Sequence, residues 1–271
     1  QPGDSCLLAV MTDNSDDKNF PPGKRQYTLD FAYHGGIYRD VWMIGKSSVA
    51  ITDALEADKV AGGGVFVHFD NISGKKAEVY VDTEVHNSGK RTRTVAVETV
   101  LVDAGDVPVK RVSQQVKLQA GESKTVRQRF AVRNPKLWSP DSPYLYRIQS
   151  RVKAGHEVLD GGVTRVGIRK AEFKGKDGFW LNGKPFGQLV GANRHQDFAY
   201  VGNALPNSQQ WRDAKRLRDA GCTIIRVAHY PQDPAFMDAC DEMGLFVIVA
   251  TPGWQYWNKN PEFAKLVHRN T

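Results

Sequence analysis

The sequence predicts a multidomain protein in which all-β structure gives way to α/β structure. Between residues 65 and 152, six segments place apolar side chains at every second position, the period of a strand with one covered face. From 186 to 257 the pattern becomes strand, helix, strand, helix, strand, with compact apolar runs alternating with stripes of period 3.6. Successive βα units with short connections make a parallel sheet, either open or closed into an eight-stranded barrel. The 271 residues, 41% hydrophobic and 25% charged, have the composition of an ordinary globular chain long enough for two or three domains.

Residues 6–11 form a strand-like apolar run, and 12–23 (TDNSDDKNFPPG) form a polar loop dense in turn residues. Gly35-Gly36 then reads as a turn into a strand ending near Met43. Two or three strands in so short a segment do not make a stable sandwich by themselves.

The middle of the chain, 47–169, is all-β. The alternating sets are Val65/Val67/Phe69, Val79/Val81/Thr83/Val85, Val95/Val97/Thr99/Leu101, Val112/Gln114/Val116/Leu118, Val126/Phe130/Val132 and Tyr146/Ile148/Val152. Turn clusters at 71–74, 87–90 and 120–123 separate them. Short, evenly spaced strands predict an antiparallel sandwich of immunoglobulin type, without the Cys…Trp…Cys pattern of antibody-like domains. Prolines in LWSPDSPYLY (137–146) favour extended backbone before the last strands. This domain is read as a spacer. Residues 167–185 predict a hairpin, with Asn182-Gly183 as its turn.

In the α/β part, strands are expected at 186–191, 223–228 and 245–250. The last is apolar without alternation, as in a parallel strand buried on both faces. Asn207 or Ser208 is placed to cap a helix carrying Trp211, Ala214 and Leu217 on one face and stopping at Gly221. After Pro231 and Pro234 a second helix stripes Phe236, Ala239, Cys240 and Met243, with Gly244 as a left-handed end. A third helix begins near Pro261.

Polar clusters are expected just past each strand: Asn193-Arg194-His195-Gln196-Asp197, then Arg226 with His229-Tyr230-Pro231, then Trp254 to Trp257. Parallel sheets bind ligands at that carboxyl edge. Polar groups with exposed indoles suit a polyhydroxylated ligand, whose hydroxyls need donors and acceptors and whose C–H faces need a flat apolar surface. A single loop His or Arg more often satisfies loop carbonyls. Three clusters at consecutive strand ends argue against that for the set.

The net charge of +7 is spread without a basic cluster, which argues against a nucleic-acid site. Cys6, Cys222 and Cys240 are odd in number and lie among apolar residues, reading as small core residues and neither a disulfide framework nor a metal site. No apolar run reaches membrane-spanning length, and QPGDSC contains no apolar signal segment, so cytoplasm and periplasm both stay open for a soluble protein.

G-A-N-R-H-Q-D (191–197), followed by R-V-A-H-Y-P (226–231) and C-D-E-M-G-L-F-V (240–247), resembles the opening of the barrel in glycoside hydrolase family 2. H-Q-D with G-N-A-L (202–205) is most similar to its β-galactosidase branch. G-G-I-Y-R-D-V-W (35–42) resembles the closing strand of that family's jelly-roll domain, and the 137–146 run resembles part of its sandwich. The hairpin resembles the one that covers the bottom of its barrel. The resemblance implies the end of a jelly-roll sugar-binding domain at 1–46, an immunoglobulin-like sandwich at 47–169, and the first three strands of a TIM barrel at 170–271. A whole barrel takes roughly 250 residues, so the chain is expected to be part of a longer one.

The resemblance further implies a retaining exo-β-glycosidase, most similar to a β-galactosidase, with β-glucuronidase or β-mannosidase on the same scaffold as alternatives. Its substrate-binding residues would be Asn193, Arg194, His195, Asp197, Arg226, His229, Trp254, Trp257 and Asn14, with Asp13 and Tyr33 as further sugar contacts. Both histidines would meet sugar hydroxyls or the developing anomeric charge, Arg226 would orient a catalytic carboxylate, and the tryptophans would stack. The acid/base and nucleophile are expected beyond Thr271, so no catalytic residue is assigned here and the chain alone is expected to be inactive. Asp241 and Glu242 are read as solvated helix residues. Ala250 stands where family members usually carry an acidic residue, which favours a non-catalytic carbohydrate-binding protein as a rival reading and removes support for the family's metal site. The expected partner is a β-galactoside or related carbohydrate, with no cofactor, metal, nucleic acid or membrane. Homo-oligomerisation of the whole protein is left open.

Overall fold

The computed structural model describes residues 7–32, 34–251 and 256–269. Met43–Leu189 form one compact unit, and the residues up to Trp42 form a second with Val190 and the residues after it.

The first of these is a β-sandwich. Its elements are β1 (Val49–Ile51), α1 (Ala54–Ala57), β2 (Val65–Asp70), β3 (Lys76–Asn87), β4 (Arg93–Val102), β5 (Pro108–Leu118), β6 (Ser123–Arg133), β7 (Tyr146–Ala154) and β8 (Glu157–Val166). In one sheet β3 pairs with β1 and β2 on one side and β6 on the other; the second runs β5-β4-β7-β8, and all pairings are antiparallel. Period-two alternation turns Val79, Val81, Phe130 and Val132 of one sheet onto Leu101, Ile148 and Ile168. A second cluster joins Val85, Val95, Val97, Leu118, Val126 and Val152. Each of the six alternating segments lies within a strand.

β1 and β8 escape the pattern. β1 has three residues, and β8 carries Gly161-Gly162 on a largely exposed edge. β9 (Ala171–Phe173), β10 (Phe179–Leu181) and β11 (Lys184–Pro185) make a small antiparallel sheet. Asn182 and Gly183 both take positive φ, 53° and 80°, as a tight two-residue hairpin turn requires. The Asn182 amide also donates to the Trp138 carbonyl at 3.0 Å, which fastens the hairpin to the sandwich.

Glu78 is the most strongly held carboxylate of the sandwich. It accepts from Lys76 Nζ (2.8 Å), Asn71 Nδ2 (3.0 Å) and Arg129 Nη2 (2.6 Å). Those bonds, Lys76's first, pull its carboxyl down from 4.5 to about 2. A lowered carboxylate stabilises the fold fully above its unfolded value and loses that contribution as pH falls toward its folded one. Between about pH 6 and about pH 3, the urea midpoint of the sandwich is therefore expected to fall further in the wild type than in Glu78→Gln. Equal falls would show that Glu78 carries none of the acid sensitivity.

The second unit contains β12 (Gly191–Arg194), α2 (Asn207–Asp219), β13 (Ile224–Val227), α3 (Pro234–Met243), β14 (Phe246–Val249) and α4 (Pro261–Arg269). The strands are parallel in the order β12-β13-β14, with Asn193 opposite Arg226 and Arg226 opposite Ile248. Ala214 of α2 and Phe236, Ala239 and Cys240 of α3 pack on Ile225 and Val227. Burial pushes the Cys240 thiol up to about 12, as befits a core residue. Asp233 caps α3 by accepting from Ala235 N at 2.9 Å, and Gly244 ends it in the left-handed conformation at φ 74°.

Four expectations are corrected here. The first parallel strand begins at Gly191 and does not span 186–191. Phe186 instead bonds Phe179 through its amide (2.9 Å) and packs on that ring (5.6 Å), while a Cβ on Gly191 would lie 1.6 Å from the Ile224 carbonyl oxygen. Glycine thus permits the strands to meet. Neither Asn207 nor Ser208 caps α2; Pro206 occupies that position, and the Asn207 amide donates to Asp40 Oδ2 at 3.1 Å.

β14 is not buried on both faces, since no strand covers its outer edge among the described residues and Ile248 and Val249 are half-exposed. Finally, no strand forms before Val49 among the described residues, although runs at 6–11 and up to 43 have strand character; Cys6 lies outside them. Leu7, Met11 and Trp42 stay exposed, with no strand beside them among the described residues. The segment is tied down by side chains instead: Asn258 Nδ2 donates to the Lys18 carbonyl (2.8 Å), and Arg39 Nη2 donates to the Pro231 carbonyl (2.6 Å). Among the described residues, no helix is long and apolar enough to cross a membrane.

Candidate functional site

Successive strand residues point to opposite faces of a sheet. On the face away from the helices, Asn193 and Arg226 stand side by side with Ile224 and Ile248 around an open depression of about 330 Å³. Both polar residues lie within their strands and not beyond them as expected. Arg194 points the other way. Its Nη1 donates to Gln232 Oε1 (2.5 Å), its Nη2 to Gln210 Oε1 (2.8 Å) and Asp213 Oδ2 (2.7 Å), and its guanidinium carbon lies 4.0 Å from the Phe236 ring centre. Buried between sheet and helices at 6% exposure, Arg194 is corrected from a sugar contact to part of the scaffold.

His195 and His229 follow the ends of β12 and β13. Their rings meet edge to face with centres 5.2 Å apart. Phe31 closes over both, 5.5 Å from His195 and 5.4 Å from His229, and Tyr230 lies 5.8 Å from Phe31. His195 Nδ1 is buried without a hydrogen-bond partner among the described residues. Burial, helped by the positive charge of Arg226 and by His195, holds His229 below 6.5, so near neutral pH its ring is an uncharged donor–acceptor. Burial likewise pushes the Tyr230 hydroxyl up, against the opposing effect of the Gln196 backbone N–H. The cluster therefore offers the neutral ring of His229 and the Tyr230 hydroxyl beside His195, set in aromatic walls.

Beside it lies a cavity of about 400 Å³ whose lining includes Asp13, Asn14, Phe31, Arg39, Asn203 and His229. Asn203 Oδ1 is buried and unpartnered among the described residues, and Asp13 is held low by the Ser15 N–H at 2.8 Å. Asn14 thus shares a cavity with His229. Asp197 and Trp257 are exposed and line neither space. Trp254 and Tyr33 lie outside the described residues. Asp241 and Glu242 lie on α3 and are exposed.

Phe31, Arg39 and Asn203 were missed as site residues. Only Asn203 had a local signal, following Gly202, whose φ of 56° and closeness to the His34 ring (2.8 Å from a built Cβ) demand glycine. Among the described residues, no cluster of three or more His, Cys, Asp or Glu is arranged to hold a metal.

Comparison with known proteins matches the family model "Glycosyl hydrolases family 2" to residues 64–169 and "Glycosyl hydrolases family 2, TIM barrel domain" to residues 172–268. A β-galactosidase of Thermoanaerobacter pseudethanolicus is 34% identical over 92% of the chain, which covers 31% of that protein. One from Thermoanaerobacterium thermosulfurigenes is 31% identical over 97% of the chain, covering 35% of it. Among solved structures, Bacteroides uniformis β-glucuronidase 2, covalently bound to cyclophellitol-6-carboxylate aziridine, superposes with a TM-score of 0.86 at 28% identity, over 96% of this chain and 30% of that one. The chain spans about a third of the length of these relatives. The two family matches fall on the sandwich and on the parallel βα units in turn and together reach from residue 64 to residue 268: the chain belongs to glycosyl hydrolase family 2.

Proposed function

We propose that this chain is part of a retaining exo-β-glycosidase acting on terminal β-galactosides. Residues 1–46 would be the end of a jelly-roll domain, 47–169 the sandwich spacer and 170–271 the start of the catalytic barrel. The observation that carries the reading is the His195–His229 pair, with ring centres 5.2 Å apart at the carboxyl edge of two adjacent parallel strands. The neutral imidazole of His229, paired with the His195 ring and near Arg226 and Asn193, suits the hydroxyls and the reacting centre of one terminal sugar. The β-galactosidase names of two relatives support the galactoside. The likeness to a β-glucuronidase favours a second reading, in which a cation such as Arg226 would meet a substrate carboxylate.

Nitrophenyl β-galactoside and β-glucuronide distinguish these in the whole protein. Higher kcat/KM on the galactoside is expected; the reverse order selects the second reading, and turnover of neither leaves a carbohydrate-binding protein. A retaining glycosidase needs two carboxyl groups about 5 Å apart, whereas β12, β13 and β14 carry none. Residues 1–271 alone are therefore expected to turn over neither substrate. Turnover that a substitution within them abolishes would overturn that expectation.

A further inference from the structure

We propose that Arg194 and Gln232 form a clamp, on the helix side of the sheet, that fixes the spacing of His195 and His229. Four hydrogen bonds join the end of β12 to the connection between β13 and α3. Arg194 Nη1 donates to Gln232 Oε1, and Gln232 Nε2 returns a bond to the Arg194 carbonyl. That carbonyl also accepts from Ala228 N at 2.9 Å, and Gln196 Oε1 accepts from Asp233 N at 2.9 Å. The tied residues bracket the histidines: Arg194 and Gln196 flank His195, while Ala228 and Gln232 enclose His229 and Tyr230.

Gln196 and Gln232 are 1% and 4% exposed, an unusual place for loop amides. Buried amides are costly unless bonded, and the bonds made here, by both polar atoms of Gln232 and by the oxygen of Gln196, run from one histidine-bearing segment to the other. Arg194 is the anchor because its planar fork serves Gln232, Gln210 and Asp213 together, and Asp213 balances its charge. Lysine lacks that fork. Arg194 is thus a positioning residue that acts through the histidines without touching the sugar.

The test uses the whole protein and Gln232→Leu, which removes the two bonds made by the Gln232 side chain and leaves the Gln196–Asp233 bond and the Arg194 contacts to α2 in place. Hydrogen–deuterium exchange is expected to rise about tenfold or more in peptides covering 194–197 and 228–233, with sandwich peptides unchanged. Because this inference rests for its chemical consequence on the sugar-site reading, affinities are measured as well. Galactonolactone, flattened at the anomeric carbon, is expected to bind about 100-fold more weakly, and galactose to change less than about threefold. Arg194→Lys should act in the same direction, and the double variant should cost no more than the larger single effect, as members of one unit do. Unchanged exchange in folded Gln232→Leu overturns the clamp, and so does equal loss of lactone and galactose. The sugar-site reading fails separately: if His195→Ala and His229→Ala alter neither affinity while exchange still rises in Gln232→Leu, the clamp stands without it.

Discussion

In the whole protein, His195→Ala and His229→Ala are each expected to lower kcat/KM by about 100- to 1,000-fold, the usual effect of losing one donor aimed at the transition state. Adjacent parallel strands lie about 4.8 Å apart, and the two rings, at 5.2 Å, keep that spacing beyond the strand ends. Both can therefore reach one ligand. A terminal sugar flattens and gains positive charge at its anomeric centre as the glycosidic bond breaks. On the proposed reading His229, held neutral by burial and by Arg226, would meet that charge without repelling it. Because its folded value lies below 6.5, the activity it supports should decline at a lower pH than an unperturbed histidine would set. Galactose affinity should change much less than kcat/KM, since only interactions that strengthen in the transition state raise the rate. Equal losses would make the histidines uniform binding groups and favour a carbohydrate-binding protein. No loss would leave them as loop residues.

The sandwich was legible because each long strand has one covered face, so period two is written into Val79/Val81/Val85 and Val95/Val97/Leu101. The helices were legible from their stripes and from Gly244. Arg194 was not. A strand start misplaced from Gly191 to 186 put Asn193 and Arg194 together in a loop, whereas within β12 neighbouring residues face opposite sides. One position therefore separates a residue on the open depression from one buried against Phe236. Phe31 and Arg39 were illegible for another reason. Each reaches His229 or Pro231 from a segment without regular strands, and no local pattern announces such a contact. The strand-like runs before Met43 show the converse: the pattern is present, but pairing needs a neighbour as well as a propensity.

The second large effect is expected at Phe236. Its ring is fully buried on α3 among Ala214, Ile225, Val227 and Leu245, and Arg194 lies over its face at 4.0 Å. Phe236→Ala removes that volume from a packed layer and is expected to cost about 3–5 kcal/mol of the α/β unit's stability, read as a lower urea midpoint. Phe236→Leu separates two contributions. Leucine keeps much of the volume but offers no π face, so its smaller loss includes the desolvated cation–π contact, about 2 kcal/mol in such settings. Because Arg194 also holds Gln232, the loss should not stay local: exchange in 228–233 should rise in Phe236→Leu even where the helices remain folded. A leucine variant with the wild-type midpoint and unchanged exchange would show that the ring supplies volume alone and that Arg194 is held by Asp213 and Gln210 without it.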